Sequence, residues 1–358
     1  MRLKSKKYVE SIDFAYDIEV KDNHNYTTNN IVVHNCKNPT SMQGRALLTL
    51  TNKSKYMCAM SGTPLMNNPL DLYFPLSWLG YEEHSFYQFK QHYCNFGGWG
   101  GSQVIGYKNL DEIRAKMDLV MLRRLKMEVL DLPEKIRQIE YVDMTSKQKV
   151  VYKEAEACVR SEYHKIKMSN NPLSMLLRMR QATGCPSILS QKCTPTDSAK
   201  LIRMKEMVDE ITSSGGKVII FSNWSSVTDE AKEMLKSYKP GYITGDTNAT
   251  DRMTEVDRFQ NGNCNVIIGT IGAMGTGLTL NKANTVIFLD EPWNRALRDQ
   301  AEDRAHRIGT KGTVNIITIM AKDTIDERIH ELVEKKGAVS DALVDGRMTL
   351  EELDFLLS

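Results

Sequence analysis

Residues 285–309 read TVIFLDEPWNRALRDQAEDRAHRIG, and this stretch joins one apolar strand to one mixed polar and apolar helix. The apolar run at 285–289 is short and rich in β-branched residues, which is typical of a strand buried on both faces of a parallel sheet. Residues 295–306 then follow a helical pattern. A strand that leads directly into a helix is the repeating unit of a parallel α/β sheet.

The same alternation continues on both sides of this stretch. We predict helices over 199–213, 226–237, 250–260, 295–306 and from Thr324, and strands over 217–221, 242–243, 265–268, 285–289 and 314–319. Helices of this length between strands predict a doubly wound α/β domain, with a parallel sheet covered by helices on both faces.

The chain before residue 196 has a less regular pattern. We predict a helix over 37–56, a short buried strand over 56–60, a helical and aromatic-rich region over 70–130 that a glycine-rich loop interrupts at 97–101, a strand over 136–142 and helices over 145–185. Residues 194–198 have the composition of a linker that ends in a helix cap.

Composition sets limits on the class of protein. The 358 residues carry a net charge of +2, so nucleic-acid binding must depend on local basic clusters rather than on overall charge. The seven cysteines include no Cys-x-x-Cys pair, which argues against a metal site or a disulfide framework and for a reducing compartment. No apolar run predicts a membrane span. We therefore expect a cytoplasmic protein with no membrane partner.

Two arginines in the stretch quoted above are candidates for chemistry. Arg304 and Arg307 are three residues apart, a spacing that places both side chains on one helical face, and Gln300 lies one turn earlier. Two converging guanidinium groups suit a γ-phosphate, whose charge is spread over several oxygens. The simpler interpretation is a surface ion-pairing face, which is commoner for an isolated Arg-x-x-Arg.

The acidic residues after the apolar strand allow another interpretation. Asp290 and Glu291 follow residues 285–289 as the acids of a Walker B strand do, where an aspartate holds Mg²⁺. That interpretation requires a P-loop in the same domain, because main-chain amides and a lysine must hold the phosphates. The sequence contains no Gly-x-x-x-x-Gly-Lys-Ser/Thr segment, and we discount the Walker B interpretation.

The segment QAEDRAHRIG at 300–309 belongs to an ordered set of motifs that resembles the SWI/SNF-type superfamily-two helicases, in the form of the annealing-helicase subgroup. The other motifs are SGTP at 61–64, MLRR at 121–124 with LP at 132–133, VIIFS at 218–222, TGDT at 244–247, GTGLTL at 275–280 and PWN at 292–294. The resemblance extends over nearly all of residues 37–350. Thr310 departs from the family, which usually has glutamine there.

The resemblance implies a fold and an activity. It implies a complete second RecA-like lobe, the C-terminal part of a first lobe with helical insertions, and an ATP-dependent DNA helicase or translocase that uses ATP with Mg²⁺ on duplex or forked DNA. The implied roles are arginine fingers for Arg304 and Arg307 with Gln300 beside them, nucleotide and DNA approach for Gly275, Gly277 and Thr279, coupling for Ser61, Gly62 and Thr63, and DNA contact for Trp293, Arg123 and Arg124. Trp293 has lobe packing as an equal alternative.

The N-terminal segment ends in IVVHNC at residues 31–36. Short β-like runs at 16–20 and 31–33 flank a turn, which by itself predicts a small hairpin with His24 on the surface. With YDIEV at 16–20 and HNY at 24–26, the segment resembles the C-terminal part of an intein. The resemblance implies that Asn35 cyclises with help from His34, that Cys36 accepts the upstream acyl group, and that Asp17 and His24 are acid/base groups.

The two resemblances predict one domain order. We expect an intein fragment over 1–35, the rest of the first lobe over 36–195, the second lobe over 196–345 and a tail over 346–358. The family's P-loop and acidic Mg²⁺-binding box belong upstream of Lys37, and we expect them on a partner chain with the intein N-fragment. The isolated chain should then hydrolyse no ATP. The alternative is a non-catalytic DNA- or protein-binding module that associates with its partner without ligation.

Overall fold

A computed structural model describes residues 69–97, 101–122, 126–161, 173–275, 277–292 and 295–336, together with Phe355 and the backbone of five strands before residue 60. The chain forms two compact units, Met1–Arg123 and Arg124–Ser358. Among the described residues, no helix has both the length and the apolar character that crossing a membrane requires.

The N-terminal strands of the first unit form two small sheets. Strands β1 (Lys6–Val9) and β2 (Ile12–Tyr16) pair antiparallel. In the other sheet, β3 (Tyr26–Thr28) pairs antiparallel with β4 (Ile31–His34), and β4 pairs parallel with β5 (Tyr56–Ala59). The strands predicted at 31–33 and 56–60 are thus confirmed. Residues 17–20 of the predicted run at 16–20, and residues 37–55 of the helix predicted over 37–56, lie outside the described residues.

The rest of the first unit is helical with one hairpin. Its elements are a 3₁₀ turn (Pro69–Leu72), α1 (Tyr73–Trp78), α2 (Phe86–Tyr93), β6 (Cys94–Gly97), β7 (Gln103–Tyr107) and α3 (Leu110–Val120). A core that includes Leu76, Phe89 and Ile113 joins the helices. Strands β6 and β7 pair antiparallel where we expected a helical region, and residues 98–100 of the predicted glycine-rich loop lie outside the described residues. Aromatic and β-branched residues in these two segments favour strands.

The second unit contains a parallel sheet of six strands in the described part of the chain. These are β8 (Lys135–Val142), β9 (Val218–Ser222), β10 (Gly241–Ile243), β11 (Val266–Thr270), β12 (Thr285–Phe288) and β13 (Val314–Ala321), in the spatial order β10-β11-β9-β12-β13-β8. Every neighbouring pair is parallel. The predicted parallel α/β sheet is confirmed.

Helices cover both faces of this sheet. The described helices are α4 (Lys126–Val129), α5 (Ser146–Ser161), α6 (Leu173–Gly184), α7 (Ala199–Ser213), α8 (Ser225–Met234), α9 (Ala249–Asn261), α10 (Ile271–Met274), α11 (Arg295–Glu302) and α12 (Ile325–Lys336). Alternate residues of β9 enter different cores: Ile219 and Phe221 pack in one, and Val218 and Ile220 in the other. Residues of one strand alternate between faces, so both faces are buried.

The two compact units divide at Arg123–Arg124, and the domain boundary expected at residue 195 stays a prediction. Strand β8 pairs with β13 along its whole length, with Lys135 opposite Val314 and Val142 opposite Ala321. Helices α5 and α6 pack against α12 through a core that includes Val151 and Ile329. These long-range contacts place residues 126–195 in the second unit. The linker composition at 194–198 marks the start of α7 and not the end of a compact unit.

Candidate functional site

The segment that carries the two candidate arginines begins as α11 and leaves the helix after Glu302. The main-chain oxygen of Glu302 accepts hydrogen bonds from the N–H groups of both Ala305 and His306, and residues 303–307 continue as turns. The predicted helix over 295–306 therefore ends four residues early. Leu280 N–H donates to the main-chain oxygen of Arg304 at 2.9 Å, which fixes this turn against the loop after α10.

The guanidinium groups of Arg304 and Arg307 meet at one main-chain oxygen. The Leu278 carbonyl lies 3.2 Å from Nη1 of Arg304 and 3.5 Å from Nη1 of Arg307. Arg304 also donates from Nε to the main-chain oxygen of Gln300 at 2.9 Å. Two cationic groups thus point to one place on the surface of the second unit, although the turn rather than a continuous helix brings them together.

The charge of Arg304 is not neutralised by an ion pair among the described residues. Both of its hydrogen-bond acceptors are main-chain oxygens. Burial lowers the pKa of Arg304, the positive charge of Arg307 lowers it further, and Asp303 opposes both effects. Two guanidinium groups held together without a carboxylate on Arg304 form a site that an anion would stabilise.

The loop that presents the Leu278 carbonyl depends on two glycines. A Cβ atom on Gly275 would lie 2.4 Å from the main-chain oxygen of Ile271, closer than any side chain permits. Gly277 has φ +72°, in the left-handed region that L-residues rarely adopt. Thr279 is half-buried between Leu278 and Leu280, which are both buried. The predicted motif residues Gly275, Gly277 and Thr279 therefore lie beside the arginine pair.

The acids after β12 have protein partners. Asp290 accepts hydrogen bonds from the Ser222 hydroxyl and from Asn223 N–H, the latter at 2.9 Å. Glu291 forms an ion pair of 2.7 Å with Arg298. Both carboxylates are almost fully buried, at 2% and 4% exposure. Groups of the same unit thus bind both carboxylates, whereas the aspartate of a Walker B site would be available to hold Mg²⁺.

Sequence reasoning missed a group of charged residues behind the arginine turn. Glu302 has no exposed surface, and its carboxylate contacts Lys135 and Arg137 of β8 at 2.7 Å each. The only sequence signal was the two-residue spacing of Lys135 and Arg137, which puts both on one face of a strand. Their partner lies 167 residues away from Lys135, beyond any local pattern.

The remaining predicted site residues lie outside the described residues. These are Asp17, His24, Asn35, Cys36, Ser61, Gly62, Thr63, Arg123, Arg124 and Trp293. His34 belongs to β4, of which only the backbone is described. Their roles stay predictions.

The described residues suit phosphate better than a metal ion. No group of three or more His, Cys, Asp or Glu residues within them is arranged to hold a metal. Asp303, the acid beside the arginine pair, forms an ion pair of 2.7 Å with Lys126. Guanidinium groups are ligands for phosphate oxygens and not for Mg²⁺. A metal that accompanies a bound nucleotide would need ligands from elsewhere.

Two protein families match the chain, one in each part. The SNF2-related domain matches residues 19–194, and the helicase conserved C-terminal domain matches residues 199–309. The second match contains the arginine pair and the loop 275–280. The first match starts before Asn35, so it includes residues that the intein resemblance assigns to a separate fragment.

Individual proteins resemble most of the chain. An uncharacterized ATP-dependent helicase of Mycoplasma pneumoniae is 31% identical over 313 residues, which are 84% of this chain and 29% of that protein. The DNA annealing helicase and endonuclease ZRANB3 of Mus musculus is 28% identical over 325 residues, 88% of this chain and 29% of that protein. The chain thus spans less than a third of the length of these relatives.

A solved structure agrees with the fold. The Sulfolobus solfataricus SWI2/SNF2 ATPase core in complex with dsDNA is 26% identical, with a TM-score of 0.52, and the match covers 89% of this chain and 70% of that chain. Its match extends over both compact units. The likeness is therefore not confined to the parallel sheet.

Proposed function

The chain belongs to the SWI/SNF-type superfamily-two helicases, and we propose that it supplies the second half of an ATP-driven motor that moves along duplex or forked DNA. The observation that carries this proposal is the convergence of Arg304 and Arg307 on the Leu278 carbonyl. That arrangement is suited to the γ-phosphate of ATP, which the family's enzymes hydrolyse.

In this mechanism, the two arginines stabilise negative charge. Phosphoryl transfer spreads charge over the oxygens of the transferred group, and arginines that reach those oxygens accelerate the reaction about 10³- to 10⁵-fold. Arg304 donates from Nε to the main-chain oxygen of Gln300 and from Nη1 to that of Leu278, so its guanidinium group is held by both bonds. The loop 275–280 holds the Leu278 carbonyl between them, and its glycines let the backbone approach a ligand closely.

The phosphate cradle and Mg²⁺ ligands come from a partner chain in this proposal. The sequence contains no P-loop, and the described residues include no arrangement that fits Mg²⁺. Mg²⁺ would neutralise charge on the β- and γ-phosphates when bound, and this chain would contribute the arginines. The relatives' activities support this assignment only as far as their printed names, ATP-dependent helicase and DNA annealing helicase.

DNA contact is assigned to residues outside the described part of the chain. Arg123, Arg124 and Trp293 are the candidates, with Ser61, Gly62 and Thr63 coupling them to the ATP site. Contacts of this kind go mainly to phosphates, so binding should weaken steeply with salt and depend little on sequence. A protein with this activity works where DNA is present, which for a microbial or viral host is the cytoplasm.

We further propose that the motor is completed by protein trans-splicing. The support is the sequence at the junction. The Cys36 thiol takes the acyl group of the partner chain, and the nucleophile of the partner's intein fragment is the leaving group. The Asn35 side-chain amide then attacks its own main-chain carbonyl with help from His34, which closes a succinimide and breaks the peptide bond to Cys36, and the freed Cys36 amine takes the acyl group from the Cys36 sulfur. Residues 1–35 leave, and an amide bond joins the partner chain to Cys36. In the ligated product, a strand from the partner would take the place of β4 beside β5.

A second candidate function is favoured by two observations. The SNF2-related match starts at residue 19, and β4 pairs with β5 across the predicted junction. Both suit a chain whose residues 19–35 remain part of the domain, with a partner that associates but is not ligated. In that case the chain is a DNA- or protein-binding helicase module without splicing.

The experiments separate the two candidates. Mixing the chain with the partner that carries the P-loop should release a fragment of residues 1–35 and yield a ligated product, both identified by mass spectrometry, and Asn35→Ala should block the release. Identical masses before and after mixing for wild type and Asn35→Ala would leave only the non-splicing candidate. ATP-dependent displacement of a triplex-forming strand by the completed protein tests the motor itself, and absence of displacement would contradict it.

A further inference from the structure

The turn that carries the arginine pair is attached to a segment outside the helicase C-terminal match. Residues 126–137 include α4 and the start of β8, and they begin two residues after Arg124, the first residue of the second unit. We call residues 126–137 the holding segment. It contacts the turn 302–307 at several separate points, all within the second unit.

The first contact fixes the end of α11. The Glu302 carboxylate accepts two hydrogen bonds from Arg137, from Nε at 2.9 Å and from Nη2 at 2.7 Å, and one from Lys135 Nζ at 2.7 Å. Burial raises the pKa of Glu302, but these two cations outweigh it and the pKa lies below its ordinary value. A fully buried carboxylate held by two cations from one strand is fixed in position.

The other contacts reach the turn itself. Lys126 Nζ donates to the main-chain oxygen of His306 and pairs with Asp303, both at 2.7 Å. The His306 ring nitrogen Nε2 lies 2.7 Å from the main-chain oxygen of Pro133. Asp303 and His306 flank Arg304 and precede Arg307, so the backbone between the two arginines is held from one side by the holding segment.

One turn before Glu302, on the same face of α11, Arg298 ties the helix to the rest of the unit. Arg298 pairs with Glu291 at 2.7 Å and with Glu334 of α12 at 2.5 Å. The helix is thus fixed at Arg298 by the segment after β12 and by α12, and at Glu302 by the holding segment. The turn after α11 is held by the contacts of the holding segment at 302–306, together with Leu280 N–H and the Thr310 hydroxyl, which donate to main-chain oxygens of the turn.

We infer that the holding segment, with Glu302 as its buried anchor, is a positioning device that sets the orientation of Arg304 and Arg307. The effect of this positioning on ATP hydrolysis rests on the proposed function, because a displaced arginine pair would no longer match the γ-phosphate. The segment starts where the chain passes from one unit to the other.

The first test measures Arg304 in the isolated full chain. In arginine-labelled protein, the Nε–H signal of Arg304 reports its bond to Gln300, and the Nε–H signal of Arg203, which donates to Glu140 at 2.7 Å, serves as an internal reference. Glu302→Gln keeps the shape of the side chain but removes its negative charge. We expect the Arg304 proton to exchange with water about tenfold faster than in wild type, the effect of weakening about one hydrogen bond, while Arg203 is unchanged.

Matched variants separate positioning from general destabilisation. Lys135→Met should reproduce part of the change and Lys135→Arg should restore wild-type exchange, because arginine keeps a donor to Glu302. Glu156→Gln removes a surface ion pair with Arg160 of 2.9 Å and should leave Arg304 unaffected. If Glu302→Gln does not fold, the two Lys135 variants decide. An Arg304 signal unchanged in every folded variant would overturn the inference, as would an equal change in Glu156→Gln.

The second test uses the enzyme completed by its partner chain. Glu302→Gln should lower kcat for ATP about 100-fold, the size expected when reacting groups are displaced by about 1 Å, with KM for ATP within about twofold. A rise in KM for ATP with kcat unchanged would contradict a positioning role for Glu302. If the wild-type mixture shows no ATP hydrolysis, the proposed motor fails, while the exchange measurement on the isolated chain still decides whether the segment orients Arg304.

Discussion

Two arginines on the same stretch of chain have opposite surroundings. Arg298, within α11, is 6% exposed at its side chain and contacts the carboxylates of Glu291 and Glu334. Within the described part of the chain, Arg304, two residues after the helix, donates hydrogen bonds to main-chain oxygens only. Burial acts against the charge of both, but carboxylates raise the pKa of Arg298, whereas Arg307 helps lower that of Arg304. An arginine that is paired with carboxylates stabilises the fold, whereas an arginine without a carboxylate partner is suited to bind an anionic ligand.

The largest expected effect is on the arginine without a carboxylate. Arg304→Ala should reduce ATP hydrolysis by the completed enzyme about 10³-fold or more, since the γ-phosphate loses a positive group in the transition state. The free energy of unfolding should change by less than about 1 kcal/mol, because no buried charge loses its partner. Steady-state hydrolysis and urea unfolding measure the two quantities. A loss of stability equal to that of an Arg298 variant would remove the distinction between the two arginines.

Arg298→Ala, unlike Arg304→Ala, should lower the free energy of unfolding strongly. Removing this guanidinium takes away the partner at 2.7 Å from the buried Glu291 carboxylate and leaves His330 Nδ1 at 3.5 Å, and a broken buried pair costs about 3–5 kcal/mol. Urea unfolding of the isolated chain measures the cost. Arg160→Ala, which removes an exposed pair with Glu156, is the matched control and should cost less than about 0.5 kcal/mol. Equal costs for the two variants would show that the Arg298 contacts add nothing beyond a surface pair.

The loop that presents Leu278 offers a smaller test. Gly277→Ala should lower the free energy of unfolding by about 1–2 kcal/mol, because φ of +72° is unfavourable for any residue with a Cβ atom. Gly272→Ala in α10 is the control: its Cβ would meet nothing within 4 Å, and alanine favours the helix. Thermal unfolding should rank Gly272→Ala at or above wild type and Gly277→Ala below it. The reverse ranking would contradict the loop geometry.

The smallest effect concerns Glu334, the more exposed partner of Arg298. The hydrogen bond from Arg298 holds the pKa of Glu334 below its ordinary value, with burial opposing. Its contribution is therefore present above the pKa of an unfolded glutamate and is lost as pH falls through the lower folded value. Glu334→Gln should cost less than about 1 kcal/mol at pH 7 because solvent screens the pair. The free energies of unfolding of the variant and the wild type should approach each other as the pH falls below the ordinary pKa of glutamate, about 4.3, and a gap that widens there would contradict this sign.

The fold was accessible to sequence reasoning where one short pattern decides the structure. The apolar run at 285–289 and its counterparts at 217–221 and 265–268 predicted strands within one or two residues of β12, β9 and β11, since strands buried on both faces must be apolar throughout. The edge strand β8 was predicted as a strand, but its membership of the second unit depends on pairing with β13, far along the chain. Local patterns do not contain that pairing.

The sequence predicted the site only in part, because several of its contacts join residues far apart in the chain. Arg304 and Arg307 were found by their spacing and by the surrounding motif. The group they face, the carbonyl of Leu278, has no side-chain signature, and the end of α11 at Glu302 follows from hydrogen bonds of its main chain. The partners Lys135 and Arg137 are likewise invisible without the fold. Charge in a sequence predicts a possible ion pair, whereas only the packing decides which charges are neutralised.

The most direct measurement is DNA-stimulated ATP hydrolysis in four samples: this chain alone, the partner chain with the P-loop alone, their mixture, and the mixture made with Arg304→Ala. We predict hydrolysis in the wild-type mixture only, because the arginines and the phosphate cradle are on different chains. Robust hydrolysis by this chain alone, or a mixture that is indifferent to Arg304→Ala, would contradict the proposal that this chain completes the ATP site through its arginine pair.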